Sequence, residues 1–591
     1  MKLTLNINGK TVEQDAPANT TLLTFMRNAG FFEVKFGGCD NGECGACTVL
    51  LDGKPVNSCG MLAAQAEGHT IETVQNVGER EGKGWKQTSG LDAIQQAFIE
   101  VGAVQCGYCT PAMVLAARSL LEKEKNPSDE QIRDVLSGIL CRCTGYLKPV
   151  QAVQRAAAVL RGEKVEPLYP SNAPMPDGGE PVHPVETREP EEMTGAGVET
   201  QTRIMPQIWT DSSGTKPYQR IGQPDIKVDA VKLVQGKPAF TADMEMRGML
   251  VAKVLHSPVA HANIKKIDVS KARALPGVAA VLTWEDLPRV VYSTAGQSDP
   301  IPGPLDMFSL DKKARFVGDR VAFVAAETAE IAYEALKLIE VEYEELPLLL
   351  DPADAMKPGT VILHDEPEYV NFADSDPKRN LAAEIHIDIG DVDKGFAEAD
   401  FIFEGEYEVP KVQQAHIEPH VVVTYWDEDD RLVIRTSTQV PFHVRRMLAP
   451  VLGLPIKRIR VIKPRIGGGF GGKQEVQIED VAAHLTIATG RPVLFEYTRE
   501  EEFTASRSRH PMRIHMKTGV KKDGTLTANE MIALSDTGAY GCHALTVTGN
   551  TGHKSMALYV GDGAYRESPN IRFHADIVYT NHPPAGAYQI G

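Results

Sequence analysis

Eight of the nine cysteines of this 591-residue chain lie between Cys39 and Cys143, and only Cys542 stands apart. The stretch GGCDNGECGACTVLLDGKPVNSC sets Cys39, Cys44, Cys47 and Cys59 in a C-x₄-C-x₂-C pattern with a distant fourth thiol. That is the ligand spacing of a plant-type [2Fe–2S] cluster, and the glycines around it permit the tight turns that wrap one. A structural Zn site also uses four thiolates, but rarely with an x₄ spacing and so much glycine. The second group is QCGYCTP, with Cys106 and Cys109, and CRC, with Cys141 and Cys143. Alone, C-x-x-C reads equally as a redox dithiol or half a Zn site; beside the first motif it reads as the ligand set of a second cluster. Cys106 and Cys109 fall at a helix N-terminus, whose free N–H groups favour thiolates, and Cys141 and Cys143 at the end of the helix after Ser128. Two clusters in one small module mean electron transfer. Cys542 is expected to be a small buried hydrophobe.

RIGGGFGGKQE, residues 465–475, follows the apolar run IRVI and satisfies G-x-x-x-x-G-K from Gly467. A phosphate-binding loop then needs Ser or Thr for Mg²⁺, and this chain has Gln474. HIEPH offers His416 and His420, but it is not H-E-x-x-H, and Pro419 spoils a helical pair. It reads as pocket wall or core, with Glu418 structural. The runs YEEL and DEDD read as solvated faces.

The elements that must position these groups are legible in outline. LTLNINGKTVE and TVLLDGKPVNS alternate around Asn8-Gly9 and Asp52-Gly53, two hairpin signals. Four helices follow: LDAIQQAFIEVG; a helix opened by Thr110 as N-cap with Pro111 in its first turn; IRDVLSGIL behind a Ser128–Gln131 capping box; and PVQAVQRAAAVLRG, begun by its proline and closed at Gly162. A Pro-, Gly- and Glu-rich linker comes next, and then mixed α/β sequence. The fold class is therefore α+β multidomain. Its parts are a β-grasp ferredoxin-like domain (1–75), a four-helix-bundle [2Fe–2S] domain (76–163), a linker (164–217), and two mixed α/β portions (218–350 and 351–591).

Apolar content of 42% and charged content of 24% are those of a globular protein with several cores. A net charge of −17 excludes a basic nucleic-acid footprint, and no apolar run approaches a membrane span. MKLTLNINGK has neither a signal-peptide core nor a twin arginine, so the expected location is the cytoplasm.

The order of a ferredoxin-like domain, then a bundle carrying QCGYC and CRCTGY, resembles the iron–sulfur half of the xanthine oxidase family of molybdenum hydroxylases. FVGDRVAFVAAETAEIAYEALKLIEVEYEELP looks like the family's a/b hammerhead region (218–350), and HIEPH, STQVPFHVRR, GGGFGGK and NHPPAGAY look like its molybdopterin-binding segments (351–591). The resemblance implies a role for each matching position. Gln105 and Cys143 would lie against the pterin. Gln439 would lie beside the apical molybdenum ligand. Gly469 and Phe470 would belong to the loop whose backbone N–H reaches the metal's oxygen ligand and the dithiolene region, with Gly468 and Gly471 also cofactor-binding positions. Gln589 falls where the family has Arg. It also implies a molybdenum–pterin cofactor (molybdopterin or its cytosine dinucleotide), two [2Fe–2S] clusters, and hydroxylation of an electron-poor carbon.

Other expectations follow from the departures. The family's catalytic glutamate falls beyond this sequence, so a second polypeptide is expected to carry the rest of the molybdenum portion. No FAD domain interrupts the linker, so FAD is expected on a separate subunit, with a ferredoxin-like acceptor as the alternative. Eukaryotic xanthine enzymes place Glu at the position of Gln474 and a substrate Arg near Met556. A glutamine reads a purine edge through both a donor and an acceptor, which makes Gln474 the substrate candidate. An N-heterocycle, purine first, is the expected substrate, and an aldehyde is the runner-up. A cluster-bearing electron-transfer or scaffold subunit with a degenerate molybdenum site is the reading from another class.

Overall fold

The structure is a computed structural model, described for residues 1–39, 41–78, 90–165, 226–295, 298, 301, 303–556 and 568–588. Gln589 and nearly all of the expected linker lie outside the described residues.

Both hairpin signals fold as their residues dictate. Strands Lys2–Ile7 and Lys10–Asp15 pair antiparallel around Asn8 (φ 53°) and Gly9 (φ 74°), the left-handed turn that Asn-Gly favours. Thr48–Leu51 and Lys54–Asn57 do the same around Asp52-Gly53. With Thr70–Glu72, which runs parallel to the first strand, they form one five-stranded sheet. Helix Leu22–Asn28 buries Leu22, Leu23, Phe25 and Met26 in a core shared with Leu3, Leu5 and Ile7.

The bundle consists of helices Ala93–Glu100, Thr110–Lys123, Asp129–Ser137 and Leu147–Leu160. The Ser128 hydroxyl accepts from the Gln131 N–H while the Gln131 side chain accepts from the Ser128 N–H, the reciprocal cap read in the sequence. Three boundaries differ. Cys109, not Thr110, is the N-cap of the second helix. The third helix stops at Ser137, so Cys141 and Cys143 lie in the loop beyond it. The last helix begins at Leu147, and Pro149 occupies its first turn, where a missing N–H costs nothing. After the linker, the short helix Ala230–Val234 packs into the bundle core, with the Gln95 side chain donating to the Val234 carbonyl (3.2 Å).

A seven-stranded sheet orders Ile459–Ile462, Leu432–Thr436, Val421–Trp426, Val493–Glu496, Leu250–His256, Arg320–Ala326 and Val278–Leu282. It runs across residue 350, so the two α/β portions share one backbone ladder. Helices Pro441–Val451 and Glu479–Thr489 cover one face through Leu448, Val481 and Leu485. Helix Ala329–Lys337 covers part of the other through Ala332 and Ala335. A further five-stranded sheet runs from Leu381–Ile389 through Ile571–Tyr579, Leu526–Gly538 and Met512–Val520 to Phe401–Val409. No helix among the described residues is long and apolar enough to cross a membrane.

Candidate functional site

In the first cysteine loop the four thiols reach one another. Cys39 lies beside Cys44 and Cys59, and Cys47 beside Cys59. Sharing of protons drives Cys39 far down and Cys47 to about 7, and pushes Cys44 and Cys59 up. The N–H groups of Glu43 and Cys44 donate to Cys39 Sγ, each at 3.2 Å. No disulfide forms; all nine cysteines are free. Four convergent thiols with backbone donors aimed at sulfur are a donor set that fits an iron–sulfur cluster.

The second quartet is built from two loops. Cys106 meets Cys143, and Cys141 meets Cys109 and Cys143. Tyr146, at φ 65°, turns its hydroxyl back to accept from the Cys141 N–H (2.9 Å) and donate to the Ile139 carbonyl (3.2 Å). The two quartets abut. Gly45, at φ 67°, carries no Cβ where one would strike the Gly138 carbonyl, and the Cys44 carbonyl accepts from the Leu140 N–H (2.8 Å).

The glycine loop follows its strand as expected but makes no phosphate site, because Lys473 is fully buried and donates to Glu418 Oε2 (2.8 Å). The Gly467 N–H donates to the same oxygen (2.6 Å). The Gln439 amide oxygen accepts from the N–H groups of Gly471 (3.0 Å) and Lys473 (3.3 Å), which fixes its orientation and turns its NH₂ outward from the loop. Between these anchors the N–H groups of Gly468, Gly469 and Phe470 have no acceptor among the described residues. Gly468 and Gly469 are buried, and Gly468 (φ 98°), Phe470 (φ 52°) and Gly471 (φ 95°) are left-handed. Consecutive unpaired N–H groups in such a turn form an anion-binding nest, and leaving them unsatisfied is costly. This cradle fits the oxygen end of a molybdenum–pterin group.

Four segments converge here. Tyr108 of QCGYC lies so close to Gly467 that a Cβ there would be 2.7 Å from its ring. Arg142 of CRC donates to the Tyr588 hydroxyl (2.7 Å). Gly471 abuts the Ala587 carbonyl, which also accepts from the Gln414 side chain (2.7 Å). Arg499 donates to the carbonyls of Gly38, His416 and Ile417, tying the first cysteine loop to HIEPH. Gln105 is exposed beside Cys106. Gln474 is half-buried, and its N–H donates to the Gly471 carbonyl (3.1 Å). Met556 is packed in a core with Met512, Ile514 and Phe573. Cys542 is buried, and its sulfur lies 3.2 Å from the Thr294 hydroxyl oxygen. A cavity of about 730 Å³ lined by Lys411, Met512, Asp536 and His582 contains none of the site residues read from the sequence.

Sequence reasoning missed Arg499, Glu502 and the Glu475–Arg507–His543 cluster. Glu475 is 2% exposed and accepts from Arg507 Nε, the Thr294 hydroxyl and His543 Nδ1, each at 2.6 Å. Burial raises its carboxyl, but Arg507 and His543 outweigh that and hold it far below the usual carboxylate range. Glu502 lies in TREEEF, where the capping box at Thr498 was the local signal of a helix.

Four domain families match along the chain: the 2Fe-2S iron-sulfur cluster binding domain over residues 5–75, the [2Fe-2S] binding domain over 73–154, the a/b hammerhead domain of aldehyde oxidase and xanthine dehydrogenase over 235–347, and the molybdopterin cofactor-binding domain over 372–590. "Probable hypoxanthine oxidase XdhD" of Escherichia coli (strain K12) is 38% identical over 100% of this chain and 58% of that protein. "Nicotinate dehydrogenase large molybdopterin subunit" of Eubacterium barkeri is 36% identical over 63% of this chain and 82% of that subunit. The solved aldehyde oxidoreductase from Desulfovibrio gigas superposes with a TM-score of 0.79 at 29% identity, covering 100% of this chain and 58% of that one. The chain thus spans 58% of the length of XdhD and of that solved structure. With two cysteine quartets, a hammerhead region and a molybdopterin cofactor-binding domain in this order, the chain belongs to the xanthine dehydrogenase and aldehyde oxidoreductase family of molybdenum hydroxylases.

Proposed function

We propose that the chain oxidises an electron-poor carbon of an N-heterocycle, purine first, and passes the electrons through its two iron–sulfur sites. The observation that carries this reading is the run of three unpaired N–H groups at Gly468, Gly469 and Phe470, set where the second cysteine quartet meets the glycine loop. When bound, the molybdenum–pterin group supplies the two-electron oxidant and an activated water. The residues of this chain hold and orient. The nest binds the anionic oxygen end, and the Gln439 NH₂ donates beside it, its oxygen pinned by Gly471 and Lys473. Phe470 walls the position, and Gln474 offers a donor and an acceptor to a purine edge. Gln105 and Cys143 take the pterin side, where electrons would leave towards the second and then the first quartet. A cytoplasmic location, and transfer to a flavin subunit or a ferredoxin-like acceptor, belong to this reading.

XdhD is described as a hypoxanthine oxidase and the Eubacterium barkeri relative as a nicotinate dehydrogenase, both acting on N-heterocycles by name. The test is turnover of the metal-loaded enzyme with hypoxanthine, xanthine, nicotinate and aromatic aldehydes, using a dye acceptor. Heterocycle oxidation is expected, with Mo near one and iron near about four per chain. Turnover of aldehydes alone, or iron without Mo, overturns it.

A further inference from the structure

Beneath the glycine loop, three side chains with no part in holding the pterin meet out of contact with water: His416 and His420 of HIEPH, and Glu502 of helix Arg499–Thr504. His416 and Glu502 are 0% exposed and His420 3%. Their candidate ligand atoms all lie within 4.8 Å of one another. Residues 416–420 are not helical, so Pro419 is no obstacle to the two rings converging.

Proton placement carries the argument. His416 Nδ1 lies 2.6 Å from the Glu418 carbonyl oxygen, which only accepts. Nδ1 therefore bears the proton, and Nε2 presents a lone pair. That Nε2 has no hydrogen-bond partner, and burial keeps the ring neutral. It faces Glu502 Oε2 at 3.5 Å, acceptor against acceptor. His420 repeats the arrangement. Its Nε2 lies 3.2 Å from the Gly472 carbonyl, and its Nδ1 lies 2.9 and 3.1 Å from the two Glu502 oxygens, while its backbone N–H donates to Glu502 Oε1 and leaves Oε2 as the ligand atom. Each imidazole thus turns one nitrogen to a backbone carbonyl and the other to a shared carboxylate. Metal-ligating histidines are oriented by this kind of outer hydrogen bond.

We propose that His416 Nε2, His420 Nδ1 and the Glu502 carboxylate form a structural site for a divalent ion of the zinc type. A tetrahedral ion with bonds of about 2.0–2.1 Å holds its donors about 3.3 Å apart. The observed separations of 3.1 and 3.5 Å bracket that value. Two imidazoles and one carboxylate oxygen give three protein donors, with water as the fourth, a set suited to Zn²⁺ or Co²⁺ rather than Mg²⁺ or Ca²⁺. Nearby cations are already committed: Lys473 to Glu418, and Arg499 to the carbonyls of Gly38, His416 and Ile417. The ion ties HIEPH to helix Arg499–Thr504 and, through Gly472, to the glycine loop.

The full chain with its iron retained, dialysed against chelator, is titrated with Co²⁺ and then Zn²⁺. One equivalent of Co²⁺ giving tetrahedral d–d absorption, displaced by Zn²⁺, is expected. Affinity falls at least tenfold in His416→Gln and in Glu502→Gln. It is unchanged in His386→Gln, which removes a ligand from the other candidate trio, Glu384, His386 and Asp576. Absence of the absorption in the unaltered chain overturns the proposal, and so does its loss in His386→Gln but not in His416→Gln. The unaltered chain decides the matter even if a variant fails to fold.

Discussion

The carbonyl oxygen of Cys44 accepts a hydrogen bond from the N–H of Leu140 at 2.8 Å, which joins one cysteine loop to the residue beside Cys141 of the other. This contact exists because Gly45 has no side chain to strike Gly138. Gly45→Ala forces a Cβ into that carbonyl and also strains a left-handed residue, by about 1–2 kcal/mol. Iron content is expected to persist, while the magnetic interaction between the two reduced clusters weakens in electron paramagnetic resonance and reduction of the first cluster slows. An unchanged spectrum would show that the loops approach without this contact.

Glu418 and Lys473 are both fully removed from water, and Glu418 also holds the Gly467 N–H. Replacing Glu418 by Gln leaves the ammonium group unpaired, at a cost of about 3–5 kcal/mol. The glycine loop should lose its anchor, so the variant is expected to retain iron but bind pterin poorly. Pterin and iron assays on the same sample measure this.

Arg499 spans the first cysteine loop and HIEPH with hydrogen bonds to three carbonyls. Arg499→Ala strands those acceptors, each worth about 1.5–3 kcal/mol as a charge-assisted bond. Calorimetry is expected to show the iron–sulfur module unfolding separately from the rest; a single transition at the original temperature would count against the bridge.

His510 is fully buried, and burial pushes its pKa down to about 4. A folded pKa below the unfolded value near 6.5 means that the unfolded chain takes up the proton first, so stability is lost as pH falls from about 6.5 towards 4. The loss is of the order of 3 kcal/mol. In His510→Gln the urea-unfolding midpoint should depend less on pH across that window, with little change at pH 8.

What the sequence determined by itself was local. The C-x₄-C-x₂-C spacing, the Asn8-Gly9 and Asp52-Gly53 turns and the Ser128–Gln131 cap all act within a few residues, where chain geometry leaves few alternatives. The α+β class and the order of domains follow from them. The glycine run was legible as a backbone cradle because glycine readily adopts left-handed turns such as those at Gly468 and Gly471. Tertiary structure decided which groups share a buried volume. Glu418 meets Lys473 across 55 residues, His420 meets Glu502 across 82, and Arg499 meets Gly38 across 461. No local pattern encodes such pairs. They are selected by the packing of the whole chain, which buries a charge only where a partner arrives with it, and so the Glu-rich helix Arg499–Thr504 supplies a fully buried carboxylate at Glu502.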